Sequence, residues 1–312
     1  MSLIDLPENP VPPGAVCGYV DTPDGASIRY ARWPAAGGTI RGTVTLLHGR
    51  AEFIEKYFEV VADLRKRGFA VVAFDWRGQG GSNRQLRNPV RGHIRDFSRY
   101  RIDLETVIDS VSLADCPGPH FALAHSTGGA VLLSAAERLR TQIHRAVLCA
   151  PLIGLRDFGP KERLIYRVAA VLTWLGFGRA FIPTGNGVVT TTFEANKLTS
   201  DRVRFERMNA VLAAAPHLGV GSPTNGWLYA AARALRRFRH PDFGPSVRLP
   251  MLIVAAGNDR IVSTRAAEDL ATRTKAAGYV EIPGAQHELM MEADVYRDQF
   301  WAAFDAFIPG QD

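Results

Sequence analysis

Strand-like and helix-like segments alternate along this chain, and the alternation is interrupted once. Thr43–Leu47, Phe69–Trp76, Phe121–Ala124 and Ala146–Ala150 are apolar runs of strand length. Between them lie Phe53–Arg67, Phe97–Leu113 and Gly128–Arg140, whose apolar residues recur at helical spacing; the first stops at Gly68, a helix-ending signal. From Leu152 to Pro245 the chain shows helical patterns punctuated by Gly and Pro, with no strong strand. The alternation then resumes: strand Met251–Ala256, helix Thr264–Ala277, strand Tyr279–Ile282, helix Ala293–Phe307. Strands joined by single helices predict a mostly parallel sheet with helices on both faces. The interrupting block is too long for a plain loop. It reads as an inserted helical cap over residues 152–245, with residues 1–151 and 246–312 forming an α/β core. Val16–Asp21 and Ala26–Trp33 flank the turn signal Pro23-Asp24-Gly25 and read as a hairpin ahead of the parallel strands.

Hydrophobic residues make up 46% of the 312 residues and charged residues 22%, which excludes a disordered chain, a coiled coil and a collagen-like fibre. Cys17, Cys116 and Cys149 are odd in number and widely spaced, offering neither a disulfide framework nor paired metal ligands. The N-terminus lacks the basic and apolar regions of a signal peptide. The longest apolar-rich stretch, Val168 to Ile182, is interrupted by Thr173, Gly176, Gly178 and Arg179 and falls short of the ~20 residues a membrane span needs. The expected location is the cytoplasm, with peripheral contact to a membrane left open.

Chemistry gathers just past the ends of three strands, where open α/β sheets bind ligands. Ala124-His125-Ser126-Thr127-Gly128 stands between a strand and a helix and nearly fits Gly-x-Ser-x-Gly. That pattern makes a sharp turn that lifts a serine hydroxyl above the sheet; the flanking positions must be small because strand and helix meet there. Gly128 satisfies this, and Ala124 adds one methyl group where glycine is usual. Asp259 follows the strand Met251–Ala256, and His287 follows Tyr279–Ile282. A serine hydroxyl needs an adjacent base to become a nucleophile, and a histidine base needs an acid to fix its tautomer. Taken singly, Asp259 reads as a loop cap and His287 as a surface histidine. In the order Ser, Asp, His they form a candidate triad.

Acyl transfer also needs N–H donors for an oxyanion. One is the backbone N–H after the nucleophile, at Thr127. The other belongs to the loop His48-Gly49-Arg50-Ala51-Glu52, with Arg50 the expected donor. Asp75, in the glycine-rich turn Asp75–Ser82, is the weaker candidate for the triad acid and reads as structural. His48 reads as a brace for its loop, and His125 as pointing away from the nucleophile. No histidine pair has zinc-type spacing with a third ligand, and no phosphate-binding loop is present. Neither metal nor organic cofactor is expected.

The stretches Leu47–Glu52, Asp75–Ser82, His125–Gly129, Asn258-Asp259 and Ala285–Glu288 resemble the α/β-hydrolase family, and within it the monoacylglycerol lipase and bacterial lysophospholipase branch. The resemblance covers most of the chain outside the cap. It implies an α/β-hydrolase fold and ester hydrolysis through an acyl-enzyme. It places the nucleophile at Ser126, the acid at Asp259, the base at His287 and an oxyanion N–H at Arg50. The implied substrate is a small-molecule ester or single-chain lipid, most narrowly a lysophospholipid or monoacylglycerol. A short-chain carboxylesterase or serine aminopeptidase is the alternative enzyme, and a ligand-binding protein using the same pocket is the non-enzyme alternative. Ala124 and Thr127 depart from the branch's usual Gly-His-Ser-Met-Gly.

The cap carries thirteen Lys and Arg against six acids, a surplus larger than the whole chain's net charge of +6. Beside this charge lies the apolar stretch Val171–Phe177. Basic and apolar residues together suit an element that meets an anionic membrane surface, although a packed cap with a solvated basic rim has the same composition. Nucleic acid is not an expected partner, since no reader motif accompanies the charge. Oligomeric state is left open.

Overall fold

The computed structural model describes residues 2–156 and 159–308. Asp157, one of the six cap acids, lies outside the described residues. Eight strands form one sheet in the order β1-β2-β4-β3-β5-β6-β7-β8. β1 (Val16–Asp21) and β2 (Ser27–Trp33) are the antiparallel hairpin, and β2 runs antiparallel to β4 (Phe69–Phe74). The remaining pairings, among β3 (Gly42–Leu47), β4, β5 (His120–His125), β6 (Arg145–Cys149), β7 (Met251–Ala256) and β8 (Ala277–Ile282), are parallel.

The apolar strand runs are explained by burial on both faces. Successive side chains of β5 point to opposite sides: Phe121 and Leu123 join one core cluster, Ala122 and Ala124 the other. The first cluster packs under α1 (Phe58–Lys66) and α10 (Asp294–Phe307), where Phe69 meets Phe121 and Phe304 edge-on. The second packs under α2 (Phe97–Val107) and α4 (Thr127–Leu139).

Several expected elements change at their ends. The helix expected from Phe53 opens as a 3-10 turn, Ile54–Tyr57, before α1. α2 passes through a π turn, Ile108–Ser112, into the short α3 (Leu113–Asp115). There the buried Ser112 hydroxyl lies 2.9 Å from Thr45 Oγ1, pairing two polar groups inside the core. α9 (Thr264–Arg273) stops before the expected Ala277, and β8 begins at Ala277 rather than Tyr279. Pairing with β7 overrides helical spacing here, because Met251 N donates to Ala276 O and Met251 faces Ala277.

Between β6 and β7 lie α5 (Gly159–Trp174), α6 (Arg202–Ala214), α7 (Asn225–Phe238) and α8 (Phe243–Ser246). This segment is stitched to the sheet's loops. Gly92 and Pro223 form a β-bridge, and His93 Nδ1 lies 2.8 Å from Thr224 Oγ1. Trp227 Nε1 donates to Tyr100 Oη at 3.2 Å. On α6, Arg204 reaches Glu59 of α1 through paired bonds of 3.0 and 2.8 Å, and Arg207 adds a third at 2.7 Å.

Candidate active site

Ser126 sits between β5 and α4 with φ 49° and ψ −112°, a conformation that L-residues rarely adopt. The turn is held in place: Ser126 N donates to Cys149 O at 3.1 Å, and Leu152 N donates to Ser126 O at 2.9 Å. Its tightness explains the glycines that follow. A Cβ on Gly128 would lie 2.3 Å from Leu47 O, and one on Gly129 would lie 2.7 Å from Pro151 Cβ. Ala124 is accommodated within the core with no exposed surface.

The three residues read from separate strand ends come together. Ser126 Oγ lies 3.0 Å from His287 Nε2, and His287 Nδ1 lies 2.7 Å from Asp259 Oδ2. Asp259, held ionised, can only accept, so Nδ1 carries the proton and Nε2 is free to accept from the serine. The other Asp259 oxygen accepts from Ile261 N at 2.7 Å and Val262 N at 2.9 Å. Burial pushes the Asp259 carboxyl up, but His287 and these two N–H groups outweigh it and hold it below its ordinary range. All three residues are buried.

Asp75 is elsewhere. It accepts from Arg29 Nε at 2.7 Å, Ile54 N at 2.9 Å and Gly81 N at 2.7 Å, so its oxygens are consumed in holding loops together. Against the push of burial, Arg29, His48 and Gly81 hold its carboxyl down at about 2. His48 stays with its loop, Nδ1 lying 2.8 Å from Gly49 O.

In the loop after β3, two N–H groups are taken up by side chains. Gly49 N donates to Glu52 Oε2, and Ala51, itself at φ 62°, donates to Gln79 Oε1 at 2.8 Å. Among the described residues, the N–H groups of Arg50 and Thr127 have no protein acceptor. Thr127 opens α4, where the helix dipole favours negative charge. The Arg50 side chain turns outward to Gly221 O and lies 5.4 Å over the Trp227 ring, and burial lowers its guanidinium to about 10.

Sequence reasoning missed a buried ionic cluster behind His287. Lys56 Nζ bridges Glu52, at 2.9 Å, and Glu288. Tyr57 Oη donates to Glu52 Oε2 at 2.7 Å, and His125 Nδ1 lies 3.1 Å from Glu52 Oε1. Burial opposes ionisation of Glu52, but Lys56 and His125 hold its carboxyl well below the usual range. The one available signal was the Glu-x-x-x-Lys spacing of Glu52 and Lys56, which reads equally well as an exposed helix pair.

A serine on a strained strand-to-helix turn, hydrogen-bonded to a histidine that is bonded to an aspartate, on an eight-stranded mostly parallel sheet, defines an α/β-hydrolase-fold protein. The chain belongs to the Hydrolase_4 family, described as serine aminopeptidase S33, whose model matches residues 38–294. It is 28% identical over 270 residues to the probable lysophospholipase L2 of Haemophilus influenzae, covering 86% of this chain and 84% of that protein. It is 29% identical over 260 residues to the monoacylglycerol lipase of Mycolicibacterium smegmatis, covering 81% and 84%. In fold it is similar to a soluble variant of monoglyceride lipase from Saccharomyces cerevisiae, with TM-score 0.74 and 22% identity over 93% of this chain and 94% of that one.

Proposed function

We propose that this protein hydrolyses the carboxylic ester of a single-chain lipid, a lysophospholipid or a monoacylglycerol, through an acyl-enzyme. The observation that carries the chemistry is the relay Ser126 Oγ–His287 Nε2–His287 Nδ1–Asp259 at 3.0 and 2.7 Å. Ser126 Oγ attacks the ester carbonyl carbon while His287 Nε2 takes its proton, and Asp259 stabilises the imidazolium so formed. The carbonyl oxygen, now negative, takes hydrogen bonds from the N–H groups of Arg50 and Thr127. His287 returns the proton to the leaving alkoxide, and the alcohol departs. Water then gives its proton to His287 and attacks the acyl carbon; the fatty acid leaves and Ser126 recovers its proton.

The lipid assignment is supported by the relatives named lysophospholipase and monoacylglycerol lipase, together covering more than four-fifths of this chain. In this reading residues 152–245 act as a lid that selects the acyl chain and makes peripheral contact with an anionic membrane. The family's description as serine aminopeptidase favours a second reading, cleavage of an aminoacyl amide. Fluorophosphonate labelling of the parent and of Ser126→Ala tests the nucleophile: the parent should label and the variant should not. A series of lysolipids, monoacylglycerols, short p-nitrophenyl esters and aminoacyl amides tests the substrate. Fastest turnover on the amides would replace the lipid reading.

A further inference from the structure

The side chain of Arg50 carries a positive charge away from the loop after β3, and no acid meets it. Its guanidinium donates to the backbone carbonyl of Gly221 and lies 5.4 Å over the Trp227 ring. Its Nε is buried and has no hydrogen-bond partner. Among the described residues no carboxylate pairs with it. By contrast, the buried Arg29 is held by Glu55 and Asp75, and the buried Arg77 by Asp24 and Asp103. An arginine keeps its proton at neutral pH, so the fold holds a cation here without a counter-charge. A charge removed from water is costly until something pairs with it. A buried donor left unsatisfied by the protein marks a place where another molecule takes the bond.

The loop that bears this cation abuts the turn at Ser126. A Cβ on Gly128 would lie 2.3 Å from Leu47 O and 2.8 Å from His48 O, and one on Gly49 would lie 3.0 Å from His125 Nδ1. In the proposed reaction the backbone N–H of Arg50 meets the ester carbonyl oxygen, while its side chain runs from the same Cα to Trp227. Arg84 and Arg91 also bond backbone carbonyls between β6 and β7, at His217 and Arg179, but neither belongs to this loop. The path from the Arg50 Cα through Cβ, Cγ, Cδ and Nε to Cζ has as many bonds as a second path in a lysophospholipid. That path runs from the ester oxygen through the three glycerol carbons and one oxygen to phosphorus.

We propose that the Arg50 guanidinium binds the phosphate of a lysophospholipid whose ester carbonyl lies at the N–H of the same residue. Phosphate supplies the missing negative charge and can accept from more than one guanidinium N–H. An uncharged monoacylglycerol would leave the cation unpaired, and the α-ammonium of an aminoacyl amide would be repelled by it. The inference rests on the lipid-ester reading and narrows it to the phosphate-bearing substrate.

The test compares octanoyl-lysophosphatidylglycerol with mono-octanoylglycerol, both below the concentration at which they aggregate, so that no lipid surface contributes. The parent should have the higher kcat/KM on the phosphate ester. Arg50→Met should cut that preference on the order of ten- to a hundredfold, the loss expected for a hydrogen bond to a charged group. KM for lysophosphatidylglycerol should rise, because the contact is made in ground and transition state alike. Arg50→Lys keeps a point charge without the planar fork and should retain part of the preference. Fluorophosphonate labelling counts the folded sites of each variant. A second measurement needs only the parent: glycerol phosphate should compete with a short p-nitrophenyl ester at concentrations where glycerol and inorganic phosphate do not. It alone carries the phosphate on the spacing of the substrate.

Equal losses on both lipids in Arg50→Met overturn the proposal and leave the side chain as a clamp for its loop. So does a parent that does not favour the phosphate ester. A parent that inorganic phosphate inhibits as well as glycerol phosphate does also overturns it, since the site then takes free anions. A parent that cleaves neither lipid, yet is inhibited by glycerol phosphate only while Arg50 is present, overturns the lipid-ester reading and leaves the phosphate site standing.

Discussion

His125, the residue immediately before Ser126, packs on His287 rather than facing its own serine: the His125 and His287 rings lie 4.8 Å apart, and His125 Nε2 is 3.3 Å from His287 O. Its Nδ1 side faces Glu52. Burial pushes the His125 imidazole down, but Glu52 pulls it back above its ordinary value. His287 is therefore buttressed by a neighbour whose own charge is tied to the Glu52–Lys56–Glu288 cluster.

That cluster makes a prediction about stability. Lys56→Met leaves Glu52 and Glu288 buried without their shared cation, and breaking a buried pair costs about 3–5 kcal/mol. Losing the lysine removes the largest charge that holds the Glu52 carboxyl down against the upward push of burial. The deficit of the variant relative to the parent should then shrink as pH falls and Glu52 protonates. Urea melts of parent and variant between neutral and mildly acidic pH check this. A variant whose deficit stays constant, or grows on acidification, refutes it.

Asp259→Asn should preserve the geometry but favour the wrong His287 tautomer, lowering kcat on the order of 10⁴-fold. Asp75→Asn should instead destabilise the fold, because it weakens the bond to Arg29 in a buried pair, while activity per folded molecule stays near normal. Folded Asp75→Asn without activity, beside an active Asp259→Asn, would reverse the two assignments.

Gln79 positions the loop that presents the Arg50 N–H, through Ala51 N at 2.8 Å and Gly49 O at 3.3 Å. Gln79→Ala should lower kcat with KM nearly unchanged, since an oxyanion donor acts in the transition state. A loss of about tenfold is expected, less than the 10²–10³-fold for removing such a donor outright. A change confined to KM would place Gln79 in substrate binding instead.

The parts legible in sequence were those with local signatures. The strands were apolar runs, and Ser126, Asp259 and His287 each followed one, so parallel topology alone carried them to a common edge. Glu55 and Lys56 had the opposite character. They fall near the start of the segment expected to be a helix, yet both are buried, and their partners Arg29 and Glu288 come from distant strands and loops. No local pattern encodes such pairing. The limit of α9 was hidden similarly, because β7 decides where β8 begins. Across residues 152–245, composition gave the surplus of charge, but only the packing of α5 on α7 separates Arg236, which lines the groove between them, from Arg237, which lies outside it.

Glu59 ties α1 to α6 through Arg204 and Arg207. Burial pushes its carboxyl up, but Arg204, Arg297 and Arg207 hold it down at about 2. A folded-state value below the unfolded one means stabilisation that is complete above about pH 4.5 and is lost as pH falls toward 2. The group is partly exposed, so solvent screening reduces the contribution to about 1–2 kcal/mol. Glu59→Gln should remove it at neutral pH and flatten that part of the acid-unfolding curve. The change should also loosen α6 first, because its two arginines lose their shared acceptor. Amide hydrogen exchange across Arg202–Ala214 reads this directly, with faster exchange there than in α4 or α10 expected for the variant. Uniform acceleration over the whole chain would mean that Glu59 stabilises the fold globally and does not anchor α6.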